Sequence, residues 1–113
     1  MSYPADQLDE LRNFGSEVLA AVEAGHRYLL VRSASLPASC VPSTVDLLLC
    51  PDARDGYQSR LFFSEKPSET IGRNWSGPVR ILDRNWWVFS WQIPNGCGLR
   101  LAQMMSTHLG ALR

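Results

Sequence analysis

The stretch that most constrains this chain is 85–91, which holds three of the four tryptophans within seven residues. Aromatic and β-branched residues favour a pleated, half-buried surface, so the stretch predicts a strand. Each large aromatic side chain can bury about 150–250 Å², so we expect the helices of the domain to pack on one face of this strand. Alternation divides its side chains between two faces: Trp87, Phe89 and Trp91 on one, and Trp86, Val88 and Ser90 on the other.

The composition indicates a single globular domain, which we place over residues 1–113. A chain of this length can bury one core without disulfides or metal ions. The 11 Lys and Arg residues balance the 11 Asp and Glu residues, so no basic excess favours nucleic acid as a partner. No apolar run approaches the ~20 residues that span a bilayer. Because the first residues lack the layout of a signal peptide, we expect a cytoplasmic protein with no membrane partner.

Periodicity predicts a helix near each end of the chain and strands between them. The first helix is expected over 6–24, ended by Gly25, and the last over 99–112. Links too short for parallel crossovers predict an antiparallel meander. The expected fold class is therefore α+β: an N-terminal helix, an antiparallel meander sheet of about four strands, and a C-terminal helix. The predicted strand segments are 28–32, 44–49, 60–63, 79–82 and 86–91.

An ordered set of short motifs runs through the chain: Leu36-Pro37, then Val45 to Pro51, then Tyr57, then Leu61-Phe62-Phe63 with Pro67, and last Arg84 to Trp91. In this order they resemble the motifs of a bacterial group, the prokaryotic ubiquitin-conjugating-enzyme-like (UBC-like) family E, over about 8–112. The resemblance implies a compact UBC-like fold and a role in a bacterial ubiquitin-like modification system. The implied partner is the ubiquitin-like protein or its activating enzyme, and we expect no cofactor.

Two departures from the family pattern bear on catalysis. Conjugating enzymes carry a His-Pro-Asn motif and a catalytic Cys before their helices, whereas residues 64–85 contain neither His nor Cys. The family's Ser-Arg-His ending is replaced here by Ser90-Trp91-Gln92. We therefore expect a chain that has lost thioester chemistry and acts by binding.

Cys97 is the one thiol that could still serve an unusual conjugating enzyme. It lies between Gly96 and Gly98 and precedes the last helix, whose N-terminal field would favour a thiolate. The alternative is a small residue in a tight loop, since no His or Asp stands near it in sequence. Cys40 and Cys50 are interpreted as inert. The sequence thus leaves open whether the protein is an enzyme.

The two histidines carry little chemistry of their own. His108 is interpreted as a half-exposed residue of the last helix, and His26 as a cation that suits the end of the first. With three separated cysteines, they offer no metal-ligand spacing, so no metal site is expected.

Two surfaces could receive a protein partner. Exposed Trp rimmed by polar residues is typical of interface hot spots, so the candidate partner-binding residues are Trp86, Val88, Trp75 and Tyr28. The open edge of the sheet is the other candidate, because it could accept a strand from a partner. A further alternative is an interaction domain of an unrelated pathway that shares only the architecture.

Overall fold

The structure is a computed structural model that describes residues 3–37, 40–68, 74–93 and 99–112. Within these ranges the chain forms two helices and one sheet of six strands, in the spatial order β1-β2-β3-β4-β6-β5. All neighbouring strands are antiparallel. The elements are α1 (Ala5–Leu11), β1 (Glu17–Glu23), β2 (His26–Ser35), β3 (Thr44–Cys50), β4 (Arg60–Phe63), β5 (Trp75–Ile81), β6 (Arg84–Phe89) and α2 (Leu101–Gly110).

The predicted first helix over 6–24 is wrong beyond Leu11, because Glu17–Glu23 forms strand β1. Apolar or small residues fill every position from 18 to 22, so this run fits a helical stripe and a strand equally well. The following turn decides between them. Ala24 and Gly25 have φ angles of 51° and 80°, the geometry of a two-residue type I′ turn, and they join β1 to β2.

The expected fold of about four strands, the compact UBC-like fold, is therefore wrong as well. The sheet has six strands, because β1 adds one edge and a full-length β5 adds the other. The predicted meander is present as β2, β3 and β4, and helices lie near both ends of the chain.

Three pairs of residues with positive φ angles shape the tight turns. Ala24-Gly25 joins β1 to β2, and Leu82-Asp83 joins β5 to β6. Asp55-Gly56 closes a small hairpin between β3 and β4, where Arg54 and Tyr57 exchange two backbone hydrogen bonds of 2.9 Å. Such turns match the right-handed twist of the strands that they connect.

The two helices cover one face of the sheet. The Arg100 guanidinium, just before α2, donates to the carboxylates of Asp6 at 2.7 Å and Glu10 at 3.0 Å on α1. The Leu101 N–H donates to the side-chain oxygen of Gln7 at 3.0 Å. Beneath the helices lies the first core, which includes Leu11, Leu29, Val31, Leu47, Leu49, Leu61, Phe63, Phe89, Leu101, Met105 and Leu109.

The opposite face of the sheet is also buried, although neither helix lies there. Glu23, at the end of β1, accepts a hydrogen bond of 2.9 Å from the N–H of Leu82 in the β5–β6 turn. This bond joins residues from opposite edges of the sheet, so the sheet is strongly coiled and encloses its own second face. The second core consists of Tyr28, Leu48, Cys50, Phe62, Ile81, Trp86 and Val88.

Arginine side chains complete the cover over this second core. The Arg84 guanidinium lies 4.6 Å from the ring centre of Trp86. The Arg54 guanidinium lies 5.3 Å from that of Phe62, and its Nε donates to the Tyr28 hydroxyl at 3.1 Å. Guanidinium groups stack on aromatic faces while their charge stays near water. The second core is therefore closed by cation–π contacts and not by a helix.

We predict that Trp86→Ala lowers the free energy of unfolding by about 3–5 kcal/mol, measured by urea titration. Trp86 is 1% exposed and its Nε1–H donates to the Ile81 carbonyl at 3.0 Å, so truncation leaves a cavity and removes a buried hydrogen bond. The matched control is Val22→Ala, at a residue 66% exposed, which should change stability by about 0.5 kcal/mol. Equal losses for the two variants would contradict a packed second core.

Candidate functional site

Three of the four predicted partner-binding residues lie inside the protein. Tyr28 and Val88 are each 2% exposed and Trp86 is 1% exposed, so they offer a partner no surface. They were expected at an interface because two helices can cover only one face of a sheet. The coiling of the sheet buries them instead. The candidate catalytic residue, Cys97, lies outside the described residues.

Trp75, the fourth predicted partner-binding residue, is half-buried on the other side of the sheet. Its ring meets those of Phe63 and Phe89 edge-on, with centroid distances of 5.2 and 5.1 Å. Its indole N–H is buried and has no hydrogen-bond partner within the described ranges. Trp75 and Trp87 face a shallow recess of about 230 Å³, which Lys66, Ser76 and Gly77 also line.

The two described thiols are buried and unsuited to nucleophilic chemistry. Cys50 is fully enclosed, and this burial raises the pKa of its thiol. Cys40 is buried in the first core. A thiol acts as a nucleophile through its accessible thiolate, so both cysteines are packing residues. Burial was expected for Cys50, whereas Cys40 was interpreted as a loop residue without a role.

An ion pair beside Cys50 fixes the segment after β3. The Arg27 guanidinium donates to both carboxylate oxygens of Asp52, at 2.6 Å in the shortest contact, and this hydrogen bonding lowers the pKa of Asp52. The same guanidinium lies 4.6 Å from the ring centre of Tyr3. Burial raises the pKa of the Tyr3 hydroxyl to about 12. Through Arg27, these contacts join β2 to Tyr3, which precedes α1, and to Asp52, which follows β3. Their role is structural.

A serine and a histidine meet in the interior in a way that the sequence did not predict. Ser59 Oγ lies 2.9 Å from His108 Nε2, with the two residues 1% and 2% exposed. The expectation of a half-exposed His108 is therefore wrong. His108 belongs to the buried face of α2, together with Leu101, Met104, Met105 and Leu109. Ser59 and His108 are 49 residues apart in the chain, so no local sequence pattern could predict their contact.

The Ser59–His108 pair resembles part of a hydrolytic site but lacks access for a substrate. Burial, together with the positive charge of Arg60, lowers the pKa of His108 to about 4, so the ring is neutral near pH 7. A neutral imidazole could accept a proton from the serine. However, a nucleophile must reach the scissile bond, and Ser59 has almost no exposed surface. The pair satisfies two buried polar groups and links the residue just before β4 to α2.

The outer edge of β1 is the most open apolar surface of the described chain. Three large apolar residues are exposed within the described ranges, and two of them, Leu19 at 42% and Val22 at 66%, lie on β1. The strand pairs with β2 along all seven of its residues, and β1 ends the order of the sheet. An edge strand presents a row of unpaired N–H and C=O groups to its surroundings.

The two edges of the sheet differ in how they resist pairing with another strand. The β5 edge contains Pro78, which has no N–H to donate, and its register shifts between Ser76 and Val79. It also carries the exposed Arg80. Prolines, bulges and charges are the usual means of blocking an edge strand. Strand β1 has no Pro and no register shift, and its charged residues, Glu17 and Glu23, lie at its two ends. Of the two edges, β1 is thus the less protected against pairing with another strand.

Comparison of this chain with protein-family models, curated proteins and solved structures found no match. Among the described residues, no group of three or more His, Cys, Asp or Glu side chains is placed to hold a metal ion. Neither α1 nor α2 is long and apolar enough to cross a membrane.

The buried imidazole of His108 predicts a loss of stability in mild acid. Its pKa is about 4 in the folded chain and 6.5 ordinarily. Well above pH 6.5 the ring is neutral in both states and adds no pH dependence. As the pH falls towards 4, the unfolded chain takes up the proton first, so the free energy of unfolding falls by up to ~3 kcal/mol. Urea titrations between about pH 7.5 and pH 4.5 measure the loss.

The variant His108→Gln isolates this contribution, because a neutral amide can still bond to Ser59 and does not titrate. The difference in unfolding free energy between the wild type and the variant should shrink as the pH falls below about 6.5. Parallel pH curves for the two proteins would contradict the shifted pKa.

Proposed function

We propose that this protein is an interaction domain that binds an extended segment of a partner protein by adding it as a strand beside β1. The observation that supports the proposal is the contrast between the two sheet edges. β1 exposes Leu19 and Val22 on a strand with no Pro, bulge or basic residue, whereas β5 carries Pro78, a register shift and Arg80.

Strand addition suits the physical chemistry of this edge. Backbone hydrogen bonds to a partner strand contribute about 0.5–1.5 kcal/mol each after their exchange with water is counted. Covering Leu19 and Val22 adds apolar burial at roughly 25 cal/mol for each Å². Alternate side chains of the added strand would extend the first and second cores outward, which provides selectivity. Because β1 is already paired with β2 along its whole length, binding does not have to fold this strand.

The interior chemistry supports binding over catalysis for the described part of the chain. Cys40, Cys50 and Ser59 are buried, and the His108 imidazole faces Ser59 within the core. Nucleophilic catalysis requires a group that the substrate can reach. The exposed feature is an open strand edge, which has no reactive group to offer.

A narrower candidate for the partner comes from the resemblance to bacterial ubiquitin-like modification systems. In that proposal the chain binds the ubiquitin-like protein or its activating enzyme and has lost thioester transfer. The supporting observation is that two motifs of the resemblance, 45–50 and 61–63, form the paired central strands β3 and β4. The proposal concerns the partner alone and makes no use of the expected fold.

A display library of random seven-residue peptides tests strand addition, since β1 is seven residues long. We expect selected peptides to shift the backbone amide resonances of Glu17–Glu23 in NMR spectra and to protect these amides from hydrogen exchange. The double variant Leu19→Lys/Val22→Lys should lose this binding, because lysines on an edge strand oppose pairing. Its folding should be unaffected, because both residues are exposed.

The matched control is Ser76→Lys, which places one lysine at an exposed position of the blocked β5 edge. This variant should bind the selected peptides as the wild type does. Peptides that shift β5 or the Trp75–Trp87 recess and leave β1 unchanged would contradict the proposal. A library that yields no binder at all would contradict it too.

The ubiquitin-like candidate is tested by searching the genomic neighbourhood for a ubiquitin-like protein and an activating enzyme, and by mixing those proteins with this chain in the presence of ATP. We expect a non-covalent complex that forms equally with the wild type and with Cys97→Ser. A thiol-sensitive covalent adduct that Cys97→Ser abolishes would show conjugating activity and contradict the loss of thioester chemistry. If the genomic neighbourhood contains neither protein, the candidate fails.

A further inference from the structure

We propose that the strand bound at β1 carries a Lys or Arg near each end, six positions apart, around a central apolar stretch. This inference rests on the proposed function, since it names the chemistry of the segment that β1 accepts. It comes from the two carboxylates, Glu17 and Glu23, that stand at the ends of the open apolar run.

The register of β1 places both carboxylates on one face. Residues directly opposite each other in a ladder share a face. The pairs on the face of the second core are Glu17 with Arg32, Leu19 with Leu30, Ala21 with Tyr28, and Glu23 with His26. On this face, the side chains of a strand added beyond β1 would lie beside Glu17, Leu19, Ala21 and Glu23 in turn. Apolar side chains at the two inner positions would extend the second core.

The carboxylates remain attractive to a partner cation despite the positive charges nearby. Neighbouring strands lie about 4.8 Å apart. A cation on the added strand would thus lie one strand spacing from Glu17 and two from Arg32, which pairs with Glu17 at 3.2 Å. Glu23 uses one oxygen, Oε2, for the N–H of Leu82, and a carboxylate can accept on both oxygens.

The charges on the other face of β1 do not oppose a basic strand. Val18, Ala20 and Val22 occupy that face, opposite Val31, Leu29 and Arg27. Arg27 is held by the bidentate contact with Asp52. That face therefore presents three apolar or small residues to the added strand. This face would therefore select the side chains of the added strand by their size and not by their charge.

The same carboxylates disfavour a second copy of this chain as the occupant. Two β1 strands that pair antiparallel over their full length would place Glu17 of one copy opposite Glu23 of the other, at both ends. Like charges directly opposite each other in a ladder are destabilising. The acidic ends thus select a partner strand that is basic and act against self-association.

Three synthetic seven-residue peptides test the inference. They share one alternating Val and Thr centre and differ only in their end residues, which are Lys, Gln or Glu. At low ionic strength we expect the Lys-ended peptide to bind roughly tenfold more tightly than the Glu-ended one, with the Gln-ended peptide between them. High salt should compress this ranking, because exposed pairs are screened. Titration calorimetry gives the affinities, and NMR places each peptide.

The double variant Glu17→Gln/Glu23→Gln should remove the ranking, so that the Lys-ended and Glu-ended peptides bind with similar affinities. Equal affinities for all three peptides on the wild-type protein would overturn the charge inference while leaving strand addition intact. A Gln-ended peptide that fails to shift the β1 amides would overturn the proposed function itself. Sedimentation that shows a dimer abolished by Leu19→Lys would assign β1 to a second copy and overturn the inference.

Discussion

The structure depends on burying both faces of one sheet with helices available for only one of them. Helices α1 and α2 cover the first core. The second face is closed because the sheet coils until Glu23 meets Leu82, and because guanidinium groups lie over Phe62 and Trp86. Once both faces are covered, the apolar surface that remains exposed in the described chain is concentrated at the edge, on β1. Coiling thus determines which apolar residues stay exposed.

The sequence predicted the interior strands and the last helix well, because their patterns are unambiguous. The run 44–49 is nearly all apolar after Asp46, as expected of a central strand, and it forms β3 between β2 and β4. The edge strand β1 could not be predicted in the same way. Its run of Val, Leu and Ala suits a helix and a strand alike, and only the chirality of the Ala24-Gly25 turn distinguishes them.

The candidate site was harder to predict than the fold, because exposure is a property of the assembled sheet. Alternation correctly separated Trp86 and Val88 from Phe89 and Trp91, which pack on opposite faces. It could not show that coiling would bury the face without helices. The Ser59–His108 pair likewise arises from elements far apart in the chain. The open sheet edge was foreseen as an alternative surface, yet its strand was not, since the sequence assigned those residues to a helix.

The contacts between α1 and α2 impose an order on assembly. Arg100 bonds to Asp6 across 94 residues of chain, and Leu101 bonds to Gln7 across the same separation. Contacts between residues so far apart in the chain must close a long loop, which costs conformational entropy. The hairpins and the meander, which need only local closure, can form before the helices dock. During synthesis the first core therefore stays incomplete, with one face of the sheet uncovered, until α2 has been synthesised.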